Sequence, residues 1–268
     1  MELNKQNYFS VEANMEYMGA TQFKDFMKCE SEGLAKANGS VVEEPSKAML
    51  VGSYVDAYFS GELDEFKANN PQILKKDGTL LKDFEQANDI INAIEQDTLM
   101  MEYLNGEHQV IMTGKINGVE FKIKVDSLLP NAIVDQKIMS SYRDLAWNDE
   151  KHRYCDFVEN FGYDIQGAIY QEIVRQNTGK KLPFILAVAT KEDGCDKALI
   201  QIDQEFLDSA LELVKEKCER FDLIKKGIVE PTHCGKCPVC RKAHKVESVV
   251  SYKELFNKVV FDDETQSN

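Results

Sequence analysis

The sequence predicts an α/β domain built on a mixed β-sheet, with helices packed against both faces. Three observations predict it. The pair Asn117-Gly118 lies between two runs in which apolar and polar residues largely alternate; two apolar runs follow at 182–190 and 197–202; amphipathic segments stand before and after them. The 268 residues suffice to bury a sizeable core, and no internal repeat or low-complexity linker divides them. Residues 1–260 are therefore expected to form a single domain, and 261–268 a frayed tail.

In chain order, residues 1–16 read as an irregular arm or short strand. Residues 20–37 read as one helix, with Phe23, Phe26, Met27 and Leu34 on its inner face, and 46–59 as a second. A loop over 69–79, containing Pro71 and Asp77-Gly78, leads into a third helix over about 83–104. Asn117-Gly118 turns an antiparallel hairpin and Pro130-Asn131 makes the next turn. Ala132-Ile133-Val134 then begins a short buried strand that ends in Asp135-Gln136-Lys137. A helix starting near 161 runs toward Arg175, the strands at 182–190 and 197–202 flank the turn Glu192-Asp193-Gly194, and a long helix spans 205–226.

Chemistry concentrates around Asp126, Asp135 and Lys137. Side chains alternate along a strand, so Asp135 and Lys137 point one way and Gln136 the other. If Asp126 leaves the neighbouring strand on the same face, three ionisable groups converge at the sheet edge. A buried acid is costly unless paired or metal-bound. Mg²⁺ offsets that cost, because it binds one or two carboxylates and takes the rest of its shell from water and substrate phosphate. The competing reading leaves both acids as turn residues and Lys137 as a solvated partner, since D-x-K is common by chance.

Gln166 and Tyr170, four residues apart, share a helix face. The order D…DxK followed by a helix bearing QxxxY resembles the RecB-type branch of the PD-(D/E)xK nuclease superfamily. Within it, the chain most resembles phage and prophage exonucleases of the exodeoxyribonuclease VIII (RecE-like) kind, over residues 17–244. The resemblance implies a restriction-endonuclease-like fold. It implies that Asp126, Asp135 and the Gln136 carbonyl bind Mg²⁺ or Mn²⁺, that Lys137 assists the attacking water, and that Gln166 and Tyr170 position DNA or the catalytic groups. The family's Gly-x-x-x-His element corresponds to Gly52 through Asp56, so a carboxylate stands where a histidine ligand is expected. Asp56 as a third metal-binding acid and Asp56 as a solvent-facing helical residue both remain open, as does close helix packing at Gly52. The implied activity is Mg²⁺-dependent exonuclease digestion of DNA from duplex ends, in phage recombination or repair. An endonuclease of the same fold would use the same residues, and a DNA- or partner-binding module that has lost activity is favoured only by Asp56.

Of the seven cysteines, Cys155, Cys195 and Cys218 are scattered and read as unpaired thiols. Cys234, Cys237 and Cys240 can share a metal within a clasp at 234–244. The resemblance suggests a [4Fe-4S] cluster with Cys29 as fourth ligand, although C-x₂-C-x₂-C is tighter than the relatives' spacing. His233 or His244 could instead complete a Zn²⁺ site, and a reduced, metal-free turn is the third reading.

A net charge of −14 opposes general attraction to DNA, so attraction must be local. Lys75, Lys76 and Lys82, with Lys180, Lys181, Lys236, Arg241, Lys242 and Lys245, are the basic residues the sequence offers. The acid excess favours a helper, either a single-strand annealing protein or a homo-oligomeric ring that encloses DNA. The sequence shows neither a leader pattern nor the ~20 apolar residues of a membrane helix, so a soluble cytoplasmic protein is expected, with no membrane partner.

Overall fold

Asn117 and Gly118 both adopt positive φ, 47° and 81°, in the computed structural model, which describes residues 1–149, 151–246 and 248–252. That turn joins β1 (Glu107–Ile116) to β2 (Val119–Leu129), paired from Ile116↔Val119 to Glu107↔Leu128. Strand β3 (Ala132–Met139) returns antiparallel to β2. A small hairpin, β4 (Ala146–Asn148) and β5 (Arg153–Cys155), stands apart. Strands β6 (Phe184–Thr190) and β7 (Lys197–Gln201) complete a five-stranded sheet ordered β1-β2-β3-β6-β7, in which only β3 and β6 run parallel.

Eleven helices surround this sheet among the described residues. They are α1 (Val11–Glu16), α2 (Ala20–Lys28), α3 (Glu30–Ala37), α4 (Lys47–Phe59), α5 (Leu63–Asn69), α6 (Lys82–Glu95), α7 (Thr98–Leu104), α8 (Phe157–Phe161), α9 (Tyr163–Thr178), α10 (Gln204–Lys225) and α11 (Pro238–Ala243). Strand alternation sorts two cores. Phe121, Ile123, Ile133, Phe184 and Leu186 meet α2, α9 and α10 on one face. Val134, Ile185 and Ala187 meet α4, α6 and α7 on the other. This is the mixed α/β, restriction-endonuclease-like architecture expected, with helices on both faces. No described helix is long and apolar enough to cross a membrane.

Several boundaries differ from expectation. The helix expected over 20–37 breaks at Cys29, which is extended (φ −161°, ψ 116°) and sends its thiol toward the C-terminal cysteines. The break also lets Gly33 approach Phe26 so closely that a Cβ would stand 2.8 Å from the ring. The helix expected over 83–104 divides because Asp97 caps a new start, its side chain accepting from the Met100 N–H at 3.1 Å. The arm at 1–16 contains α1, capped by Ser10. Helix α5 and the β4–β5 hairpin were not expected; at seven residues and three residues per strand they are too short to carry a periodic pattern. The tail at 261–268 lies outside the described residues.

Candidate active site

The β2–β3 ladder runs from Leu129↔Ala132 to Ser127↔Val134 and ends there. Its next step would pair Asp126 with Asp135. Instead the strands part, and the Asp126 Oδ2 accepts the Gln136 backbone N–H at 2.9 Å, replacing the missing ladder bond. Beyond the fork, the chain before α2 takes over β2: the Met18 N–H donates to the Glu120 carbonyl at 2.8 Å, and the Lys122 N–H donates to the Met18 carbonyl at 3.0 Å. The site therefore lies at a fork between two inner strands and not at the sheet edge.

Asp135 is 2% exposed. Its Oδ1 accepts from the Gln166 side-chain amide at 2.7 Å. Its Oδ2 is buried without a hydrogen bond of good geometry and stands against the Lys137 ammonium, to which it is ion-paired. Lys137 also reaches the Gln136 carbonyl at 3.3 Å and lies 5.3 Å from the Tyr163 ring centre. Burial alone would lower the lysine, but Asp135 and Asp126 outweigh it and hold its pKa above the ordinary value. Burial, then Asp135 and Asp56, pushes the Asp126 carboxyl well above its usual 3.8.

Asp56, on α4, lines the same cleft. Burial raises its carboxyl, against the opposing pull of Lys124 and Lys137. Both its oxygens accept from the Gln109 amide, at 3.1 and 3.3 Å. Asp56 thus faces the cleft and not bulk solvent. Gly52 has no atom within 4 Å of where a Cβ would stand, so it serves no close helix packing. Gln109 itself was not foreseen. It lies opposite Asp126 on β1 with φ 54°, and its buried Oε1 has no partner. A glutamine inside an alternating strand gives no signal of this role.

Tyr170 packs its ring into the core while its hydroxyl donates to the Lys124 carbonyl at 3.0 Å, tying α9 to β2 beside the fork. The N-terminal arm supplies the facing wall. Lys122 bonds the Tyr8 carbonyl and, at 2.8 Å, Asn14 Oδ1, and Lys124 lies 5.2 Å from the Phe9 ring centre. The cleft, about 850 Å³, is bounded by Tyr8, Phe9, Asp56, Gln109, Asp126, Asp135, Lys137, Gln166 and Tyr170. The buried Asp135, whose Oδ2 is held only by the Lys137 ion pair, the half-buried Asp126 and a nearby backbone carbonyl are the oxygen donors a hard divalent cation requires. Asp126, Asp135 and the Gln136 carbonyl could hold such an ion, with Asp56 beside them.

At the opposite end of α2, Cys29, Cys234, Cys237 and Cys240 gather with all four sulfurs within 4.8 Å of one another. Cys29 is the member that completes the set. His233 Nδ1 stands 3.6 Å from the Cys240 sulfur and 3.1 Å from Ser31 Oγ, outside the four. Cys155, Cys195 and Cys218 are free and buried, consistent with packing thiols.

A family model described as a PDDEXK-like domain of unknown function (DUF3799) matches residues 19–243. A crystal structure from Eubacterium rectale, of a protein described as a "putative exonuclease", is 47% identical, with a TM-score of 0.89 over 95% of this chain and 98% of that one. No curated protein matches the sequence.

Proposed function

This chain belongs to the PDDEXK-like family, and from that premise we propose that it is a metal-dependent deoxyribonuclease that digests DNA from duplex ends. The observation that carries the reading is the β2–β3 fork, where Asp126, Asp135 and Lys137 converge with Gln166 above them. Membership in the family and likeness to the E. rectale protein support nuclease chemistry; duplex ends are the preferred substrate on the resemblance to exonucleases.

Asp126, Asp135 and the Gln136 carbonyl would bind Mg²⁺ or Mn²⁺, and Asp56 would bind or neutralise a further charge. When bound, the ion supplies Lewis acidity toward a phosphoryl oxygen and a lowered pKa for coordinated water. Gln166 fixes Asp135 in one orientation by donating to Oδ1. The Lys137 ammonium, charged well past neutral pH, orients the attacking water and offsets negative charge that grows on the phosphoryl group. Tyr170 holds β2 against α9, keeping Asp126 at the fork.

Digestion of an end-labelled linear duplex and of a covalently closed circle, with Mg²⁺ or Mn²⁺, tests the reading. The wild type should degrade the linear duplex and spare the circle, while Asp135→Ala and Lys137→Ala should degrade neither substrate. Cutting of the circle would replace end-directed digestion by an endonuclease, and equal digestion by all three proteins would overturn the site.

A further inference from the structure

The geometry points to a mononuclear Zn²⁺ site, coordinated by Cys29, Cys234, Cys237 and Cys240, that clasps the α2–α3 junction to the C-terminal segment. The sulfurs set the size of what fits. Cys29 and Cys240 are 3.5 Å apart, Cys29 and Cys237 3.7 Å, and Cys234 and Cys240 3.8 Å. A tetrahedral ion with Zn–S bonds of about 2.3 Å places its sulfurs about 3.8 Å apart. In a [4Fe-4S] cubane each thiolate caps a different iron, so the sulfurs must stand roughly 6 Å apart. The four here lie within 4.8 Å. The iron-sulfur cluster expected from the resemblance therefore does not fit, and a single ion does. The separations also exceed the roughly 2.05 Å of a disulfide bond.

Supporting contacts agree. The backbone N–H groups of Lys236 and Cys237 point at the Cys234 sulfur at 3.4 and 3.2 Å, and that of Cys240 at the Cys237 sulfur at 3.4 Å. Gly235 permits this tight knuckle with φ 71°. Donors aimed at sulfur stabilise the thiolates left when each thiol releases its proton to solvent on binding zinc. His233, 3.6 Å from the Cys240 sulfur and bonded to Ser31, is placed to donate to a bound thiolate and not to displace one.

The clasp has a mechanical consequence. Ser31 and Glu30, next to Cys29, bond Thr232: the Ser31 hydroxyl donates to its carbonyl at 2.6 Å, and Glu30 accepts from its N–H at 2.7 Å. Arg220 of α10 donates to both oxygens of Glu30, at 2.6 and 2.8 Å. Zinc would lock this junction, and with it α2, whose Lys24 bonds the Phe161 carbonyl at the head of α9.

Metal analysis of the full chain decides the matter independently of nuclease activity. Protein purified anaerobically from iron-replete cells should be colourless and hold one zinc per chain with no acid-labile sulfide. Zinc should persist in Asp135→Ala and Cys155→Ser, which excludes the carboxylate site and a stray thiol, and be lost in Cys240→Ser. Replacement by Co²⁺ should give the strong visible bands of a tetrahedral tetrathiolate in the folded wild type, so the assignment does not depend on the variant folding. Four irons with labile sulfide, or metal-free protein with four freely titrating thiols, would overturn the proposal.

Discussion

Replacing Gln166 with alanine removes the amide that donates to Asp135 Oδ1 at 2.7 Å, beside a carboxylate only 2% exposed. A hydrogen bond to a charged group contributes about 1.5–3 kcal/mol. At about 1.4 kcal/mol per decade this is a loss of roughly 10- to 100-fold in any equilibrium or rate that needs the oriented carboxylate. The expected readouts are a raised half-saturating Mg²⁺ concentration in linear-duplex digestion and a smaller Mg²⁺-induced rise in Tm. Gln171→Ala is the matched control. It removes a buried amide from the same helix, one that donates to the Leu182 carbonyl at 2.8 Å and to Gln204 Oε1 at 3.1 Å and touches no carboxylate of the fork. Leaving that carbonyl unpartnered costs about 1–3 kcal/mol of stability, with Mg²⁺ dependence unchanged. Wild-type Mg²⁺ dependence in Gln166→Ala, or an equal shift in Gln171→Ala, would refute the argument.

Asp126 binds its proton more tightly when folded than its usual 3.8, so metal-free stability should fall as pH rises from that value through the raised one. Asp126→Asn keeps an oxygen for the Gln136 N–H, and should flatten that pH dependence in thermal melts while abolishing digestion. For the same reason half-saturation by Mg²⁺ should require less metal as pH rises, since the ion displaces the proton; a flat titration from acid to neutral pH would contradict this. Gly52→Ala meets open space in α4 and should stabilise by about 0.5–1 kcal/mol in denaturant melts. Gly167→Ala would put a Cβ 2.6 Å from the Phe184 ring and 2.8 Å from Leu207, and should destabilise by about 1–3 kcal/mol.

Where periodicity and turn chemistry carry the information, the sequence is legible. Asn117-Gly118 has the positive φ its residues favour, and the alternation along β3 and β6 sorts Ile133 and Phe184 to one core and Val134 and Ile185 to the other. The D-x-K spacing likewise places Asp135 and Lys137 on one face. The fork escaped notice because it depends on where β2 stops pairing with β3, a tertiary event with no local pattern. Cys29 escaped as a helix breaker because cysteine neither caps nor breaks helices by propensity; its extended backbone brings it to three thiols distant in the sequence, which no local pattern records. Gln109 is legible only once β1 lies opposite Asp126.

The charge problem also changes once the cleft is assembled. None of the basic residues singled out from the sequence lines the cleft, and two of them are paired elsewhere, Lys75 with Glu85 and Lys181 with Asp208, each at 2.9 Å. The cleft is instead lined by Lys5, Lys36, Lys122, Lys124 and Lys137, drawn from well-separated segments and invisible as a run. Facing them are Asp25, Asp56, Glu62, Glu65, Asp126 and Asp135. Lysine charge therefore does not exceed carboxylate charge in the cleft, and several pairs are already closed, such as Lys5 with Glu62 and Lys36 with Asp25. A phosphate backbone entering the metal-free cleft would meet little net attraction. One divalent ion at the fork would reverse the balance, and its field would act where the dielectric is low. On the proposed function, attraction to nucleic acid in this acidic chain would be tied to metal loading, and the ion that readies the site for chemistry would also admit the substrate to it.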